Sequence, residues 1–221
     1  CSVYGVSDAE EVTEDHPLVP ITDYNKYKGL CEPILLEAGS SRFTAVVIRP
    51  ATVCGYSPRQ RLDLTVNILT NHAYHLNRIT ILGGGQMRPN IHIQDVTDLY
   101  LLLLALPEAH IAGKVYNAGY ENRTVAELAE RVQKIMREEC PERGPVERVT
   151  VPSCDPRSYR ISSEKIRREL DFVPRHTIED AIRELIQAFR EERCPNALDD
   201  PRYHNVKVLQ TLQPLTRLAN R

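Results

Sequence analysis

Apolar residues along the chain keep two rhythms in turn. Tyr24, Tyr27, Cys31, Ile34 and Leu35 recur at intervals of three and four, which predicts a helix over 23–38. Pro33 lies inside it and predicts a kink or an early end, because proline removes an N–H and crowds the preceding turn. Phe43-Thr44-Ala45-Val46-Val47-Ile48 is a continuous apolar, β-branched run, the pattern of a strand buried on both faces, with Arg49-Pro50 as its stop. The alternation continues with a helix over 62–76, a strand over 79–82 ending at Gly83-Gly84-Gly85, a helix from about Gln94, and a strand over 114–118. Thr124-Val125-Ala126-Glu127 is a capping box that opens a helix to about Glu139. A strand over 146–151 and a short helix over 162–170 follow, and Thr177-Ile178-Glu179-Asp180 opens the last helix, to about Arg190. Residues 6–22 are acidic, carry Pro17 and Pro20, and read as a surface loop; the polar tail from Glu191 is expected to be loosely held.

Alternating strands and helices predict the α/β class. Residues 1–60 and 90–120 read as part of a large sheet domain, 61–89 and 121–190 as a smaller cap, and 191–221 as a tail. Cys1-Ser2-Val3-Tyr4-Gly5 reads as the end of a strand with nothing before it, and a buried strand needs neighbours on both sides. The expectation is a fragment cut within a sheet.

Composition narrows the functional classes. The chain has 221 residues and a formal net charge of −2, so no general basic field favours nucleic acid or an anionic membrane. The longest apolar run, 99–106, is far too short to span a bilayer, and no signal peptide is visible. The six cysteines are scattered without a C-x-x-C pair and read as reduced, mostly packing thiols of a cytoplasmic protein. His72 and His75 can share a helix face, but no third ligand is in register, so no metal site is expected.

Tyr24 and Lys28 carry the sharpest chemistry. Spacing of four puts them one turn apart on one helix face. A phenol has an ordinary pKa near ~10, and an adjacent ammonium favours the phenolate, so the pair suits proton transfer at a sugar hydroxyl. The surrounding residues sharpen this reading. Val3-Tyr4-Gly5, the acidic Glu14, Pro20-Ile21-Thr22-Asp23-Tyr24-Asn25-Lys26-Tyr27-Lys28 and Glu32 resemble the active-site stretch of extended short-chain dehydrogenase/reductases, with its P-x-x-x-Y-x-x-x-K-x-x-x-E pattern. Residues 46–55 (VVIRPATVCG) resemble that family's next strand and R-x-x-N-x-x-G turn, which passes nicotinamide and substrate. Residues 83–95 (GGGQMRPNIHIQD) resemble its G-x-G-x-x-R-D-x-I-H-V-x-D segment, and 155–170 its D-x-x-x-Y segment with the following helix. The resemblance covers about residues 1–190.

The resemblance implies a partial Rossmann-like, doubly wound parallel sheet with an α/β substrate-binding cap. It implies catalysis by Tyr24 and Lys28, which with Pro50 and Ala51 would also meet the cofactor, NAD or NADP. Thr52, Arg88, Arg157 and Tyr159 would hold a nucleotide-sugar, Arg88 at its diphosphate, where a guanidinium pairs bidentately with phosphate oxygens. His92 and Asp95 would be structural. A homodimer is implied for the full-length protein, paired through helices of which one bears Tyr24, leaving an apolar outer face on 23–38.

Four departures matter. The family's asparagine is Thr52 here; its catalytic Ser or Thr would precede Cys1, and Ser2, one strand repeat of ~6.6 Å further along, is a poor substitute. The glycine-rich phosphate loop is not in these residues; Gly83-Gly84-Gly85 reads as a turn. Dehydratases of the family carry Asp-Glu directly before V-Y-G, where this chain has Cys1-Ser2, which favours C4 epimerisation. The alternatives are a reductase, decarboxylase or dehydratase of the same family, or a non-catalytic module or inactive fragment on this fold.

Overall fold

The computed structural model describes residues 1–153, 155, 157–205 and 207–209. Cys154, read above as one of the thiols, and 210–221 of the tail lie outside the described residues. Ser2–Tyr4 is a 3-10 turn, closed by Tyr4 N–H to Cys1 O and Gly5 N–H to Ser2 O, not the end of a strand. Ser2 is therefore not held one extended strand repeat along from the residue before Cys1. The loop that follows is pinned by parallel bridges, Val6 to Ser158 and Val12 to Ile161.

Helix α1 spans Asp23–Glu37, with the Thr22 side chain accepting Asn25 N–H at its start. It does not end at Pro33. Proline removes one backbone bond only, and the ladder resumes when Ala38 N–H reaches Ile34 O at 3.2 Å. Strand β1, Val47–Pro50, begins later than the apolar run and continues through the expected stop. It pairs in parallel with β5, Val115–Ala118, from Val47 opposite Val115 to Pro50 opposite Ala118. Val47 and Ala51 donate to Lys114 O and Ala118 O, so the odd positions face β5 and the missing N–H of Pro50 falls on the other side. Nor is the strand buried on both faces. Ala45, Val47 and Arg49 are buried, while Thr44, Val46 and Ile48 line an open groove of about 560 Å3 with Leu103 and Leu104.

Strand β2, Thr52–Cys54, runs parallel to β4, Met87–His92, which pairs antiparallel with β6, Glu121–Thr124. The third sheet pairs β3, Arg78–Leu82, in parallel with β7, Glu147–Val151; Gly83 and Gly84 end β3 at φ 76° and 110°, a left-handed turn. The other helices are α2 (Thr65–Leu76), α3 (Ile93–Ala105), α4 (Glu108–Ile111), α5 (Val125–Glu139), α6 (Glu164–Leu170) and α7 (Ile178–Arg190). Capping boxes at Thr124/Glu127 and Thr177/Asp180 start α5 and α7.

Two hydrophobic cores form. One gathers Tyr4, Val12, Ala51, Leu99, Tyr116, Ile166 and their neighbours; the other packs α2, α5 and α7 around Leu69, Val132 and Leu185. Ile166 and Leu170 of α6 pack in the first core, although 121–190 reads from the sequence as cap. The start of the tail is held too: Cys194 and Ala197 are buried in the second core, Asn71 Nδ2 donates to Ala197 O, and Leu62 N–H donates to Tyr203 O. No helix among the described residues is long and apolar enough to cross a membrane.

Candidate active site

Helix α1 presents Tyr24 and Lys28 one turn apart, with the Lys28 ammonium 5.8 Å from the centre of the Tyr24 ring. Tyr24 is 68% exposed. Among the described residues no carboxylate pairs with Lys28, so its three N–H donors are open to hydroxyl groups. The helix is turned against ordinary amphipathic logic. Tyr27, Leu30, Ile34 and Leu35 are also exposed, and the buried positions are the polar Asn25 and Glu32. Ser2 Oγ donates to Asn25 Oδ1 at 2.7 Å.

Glu32 meets Arg49 at the end of β1. Arg49 Nε donates to Glu32 Oε1 at 3.0 Å and Nη2 to Oε2 at 2.6 Å, a bidentate pair with both side chains buried. Arg49 Nη1 donates to Tyr4 Oη at 2.6 Å and to Glu14 O at 3.2 Å. Tyr4 Oη donates to Asn117 Oδ1 on β5, whose backbone N–H donates to Glu14 Oε1. Burial pushes the Tyr4 phenol above its ordinary range. In the sequence Glu14, Glu32 and Arg49 stand only as parts of the motifs; the signal for Glu32 is the spacing of seven from Asn25, which puts both on one helix face.

Pro50, Ala51 and Thr52 follow Arg49 directly. Pro50 O accepts from the Cys1 nitrogen at 2.7 Å, and Ala51 is buried. Thr52 opens β2 opposite Asn90 of β4, two residues beyond Arg88. Arg88 and Arg157 converge on one carboxylate that was not among the expected site residues, Asp155. Arg88 Nη2 donates to Asp155 Oδ2 at 3.0 Å, and Arg157 donates through Nε at 2.8 Å and Nη2 at 2.6 Å. Arg88 also donates to the backbone oxygens of Met87 and Arg157. Hydrogen bonds from Arg157 foremost hold the Asp155 carboxyl down at about 2. The two guanidiniums shift in opposite directions, since burial outweighs the shared carboxylate for Arg88 and not for the more exposed Arg157. Tyr159 is buried beside them, and burial raises its phenol pKa. The structure thus gathers Arg88, Arg157 and Tyr159, and joins α1 to the 50–52 turn through Arg49.

His92 and Asp95 hold structure. The His92 ring caps α3 by accepting Gln94 N–H, and Asp95 accepts from the backbone N–H groups of Arg175 and His176. No group of three metal-ligating side chains occurs among the described residues, and His72 and His75 lie on α2 with burial lowering both imidazole pKa values.

Known proteins resemble this chain. UDP-glucose 4-epimerase of Azospirillum brasilense is 26% identical over 199 residues, covering 82% of this chain and 56% of its own length. The dTDP-glucose 4,6-dehydratase of Streptomyces niveus is 27% identical over 200 residues, covering 87% and 56%. The chain spans little more than half the length of these relatives. The solved UDP-glucuronic acid 4-epimerase of Bacillus cereus, in complex with UDP-glucuronic acid and NAD, superposes with a TM-score of 0.72 at 22% identity over 86% of this chain and 59% of that one, which shows a shared Rossmann-like α/β fold. Residues 1–119 match the sequence profile of the NAD dependent epimerase/dehydratase family. The chain therefore belongs to the NAD dependent epimerase/dehydratase family.

Proposed function

We propose that this chain supplies the proton-transfer and nucleotide-sugar-binding parts of an NAD(P)-dependent nucleotide-sugar 4-epimerase. The observation that carries the reading is the Tyr24/Lys28 pair, open on α1 with the ammonium over the ring and unclaimed by any carboxylate among the described residues. Tyr24 takes the proton from the sugar C4 hydroxyl and returns it. Lys28 donates to ribose hydroxyls of the nicotinamide nucleotide, beside Pro50 and Ala51. Arg88 and Arg157 bind the diphosphate, Tyr159 the nucleotide, and Thr52 the sugar side. NAD(P), when bound, supplies the hydride chemistry at C4.

Epimerisation is favoured over dehydration by what precedes Val3. Cys1 Sγ donates to Arg49 O and Ser2 Oγ to Asn25, and neither side chain is a carboxyl acid able to eliminate water. The exposed face of Tyr27, Leu30, Ile34 and Leu35 supports pairing of two copies through α1. The free thiols support a reducing, cytoplasmic setting.

The glycine-rich loop that cradles the dinucleotide is not in these 221 residues, so turnover is proposed for the holoenzyme, the chain together with that segment. Residues 1–221 alone should not bind NAD tightly; micromolar binding by calorimetry would contradict this. The test of the reaction is to incubate the holoenzyme and NAD with UDP-glucose and follow the sugar by NMR. Appearance of the C4 epimer supports the reading. A 4-keto-6-deoxy sugar, a C4-reduced or decarboxylated product from a suitable substrate, or no turnover of any nucleotide-sugar contradicts it.

A further inference from the structure

Helix α1 carries the acid/base pair, yet little apolar packing holds it. Of its large apolar side chains, Tyr24, Tyr27, Leu30, Ile34 and Leu35 are exposed and Leu36 is half-buried; the line it turns inward is Asn25, half-buried Gly29, Glu32 and Leu36. The two buried polar residues of that line are gripped: Asn25 by Ser2 Oγ, and Glu32 by Arg49. A hydroxyl contact is a point and permits rotation. A bidentate fork, with Nε to Oε1 at 3.0 Å and Nη2 to Oε2 at 2.6 Å, fixes orientation as well as distance. The guanidinium is fixed in turn by Tyr4 Oη and Glu14 O. Arg49 also stands one residue before Pro50-Ala51-Thr52, the stretch assigned to cofactor and substrate, so one side chain ties the two halves of the site.

We propose that Arg49 is a positioning residue for Tyr24 and Lys28, acting through Glu32 to set the rotation of α1 against the 50–52 turn. The proposal rests on the reading of Tyr24 as the acid/base. Side-chain tips lie about 5–6 Å from a helix axis, so a rotation of about 10° displaces them by about 1 Å. A misplacement of about 1 Å can cost about a hundredfold in rate. Lysine at position 49 would keep the charge and lose the fork.

The experiment is a kinetic double-mutant cycle in the holoenzyme with UDP-glucose, using wild type, Arg49→Lys, Tyr24→Phe and the double variant. Arg49→Lys should lower kcat about 10- to 100-fold with KM changed by less than about threefold, the mark of a group needed in the transition state and not for binding. Tyr24→Phe should cost about 10²–10⁴-fold in the wild-type background and about 10- to 100-fold less than that on top of Arg49→Lys, because a displaced hydroxyl has already lost that part of its contribution. Glu32→Gln, which keeps size and loses charge, should show the same coupling and serves if Arg49→Lys fails to fold. Equal Tyr24→Phe costs in both backgrounds, or an unchanged kcat in Arg49→Lys and Glu32→Gln, would overturn the positioning role while leaving Tyr24 as the acid/base. A near-normal rate for Tyr24→Phe alone would instead overturn the acid/base reading on which the proposal rests.

Discussion

Oδ1 of Asp95 lies 2.9 Å from Nδ1 of His176, and this contact joins α3 of one core to the residue before the Thr177 cap of α7 in the other. Asp95 is buried, and it also accepts the backbone N–H groups of Arg175 and His176 at 3.0 and 3.1 Å. The hydrogen bond to Asp95 raises the His176 pKa, burial opposes it, and Glu184 and Asp180 add attraction for the charged ring. A raised imidazole pKa contributes stability that is fully present below the unfolded value of about 6.5 and is lost as pH rises through the folded value. The His176 contribution to the thermal midpoint should therefore shrink as pH rises from about 6 to 8, while His72 and His75, held low by burial, act in the opposite sense. In scanning calorimetry the midpoint difference between wild type and His176→Asn should narrow over that range; a difference that stays constant would contradict the raised His176 pKa.

Asp155 titrates in the opposite sense. Its carboxyl, held at about 2, contributes stability above the unfolded value of about 3.9 that is lost as pH falls through about 2. It is ionised at neutral pH and holds both Arg88 and Arg157 in place. Arg88→Ala should weaken UDP binding to the holoenzyme by about 10- to 100-fold, the scale of a lost charge-assisted hydrogen bond. Arg157→Ala should cost less, since its side chain is 38% exposed against 11% for Arg88. Titration calorimetry with UDP gives both values, and unchanged affinity in Arg88→Ala would remove it from the diphosphate site.

Thr177 and Leu185 test the second core. Thr177 accepts Asp180 N–H while Asp180 accepts Thr177 N–H, and Leu185 is fully buried. Thr177→Ala should cost about 1 kcal/mol in urea unfolding, and Leu185→Ala about 2–5 kcal/mol.

Ile34, 66% exposed on α1, tests the pairing of copies. Ile34→Glu places a charge in the proposed interface and should shift the holoenzyme from dimer to monomer in light scattering at micromolar concentration. A wild-type monomer would contradict the proposed dimer.

Local chemistry made the α5 and α7 starts and the bounds of α1 legible, because a capping box or a Thr N-cap is a short-range signal. Strands β2, β4 and β6 were not, since β2 is only three residues long, β4 carries Pro89, β6 is polar throughout, and their partners are as distant as Thr52 and Asn90. The tail looked loose because its polar residues hide Cys194 and Ala197, which pack against the second core. At the candidate site, the motifs point to Tyr24, Lys28, Arg88, Arg157 and Tyr159. What holds them could not. Glu32 and Arg49 form a buried pair at a position where periodicity predicts apolar contact, and Asp155 reads as one more surface acid until two arginines are seen to share it.

The most direct test of the central claim is the turnover of Tyr24→Phe in the holoenzyme with a nucleotide-sugar and NAD. Phenylalanine keeps the ring beneath Lys28 and removes only the hydroxyl proposed to move the proton. The expected result is a fall in kcat of about 10²–10⁴-fold, with NAD affinity nearly unchanged because Lys28 remains; Lys28→Ala should harm both. A Tyr24→Phe enzyme that turns over at a near-normal rate would contradict it.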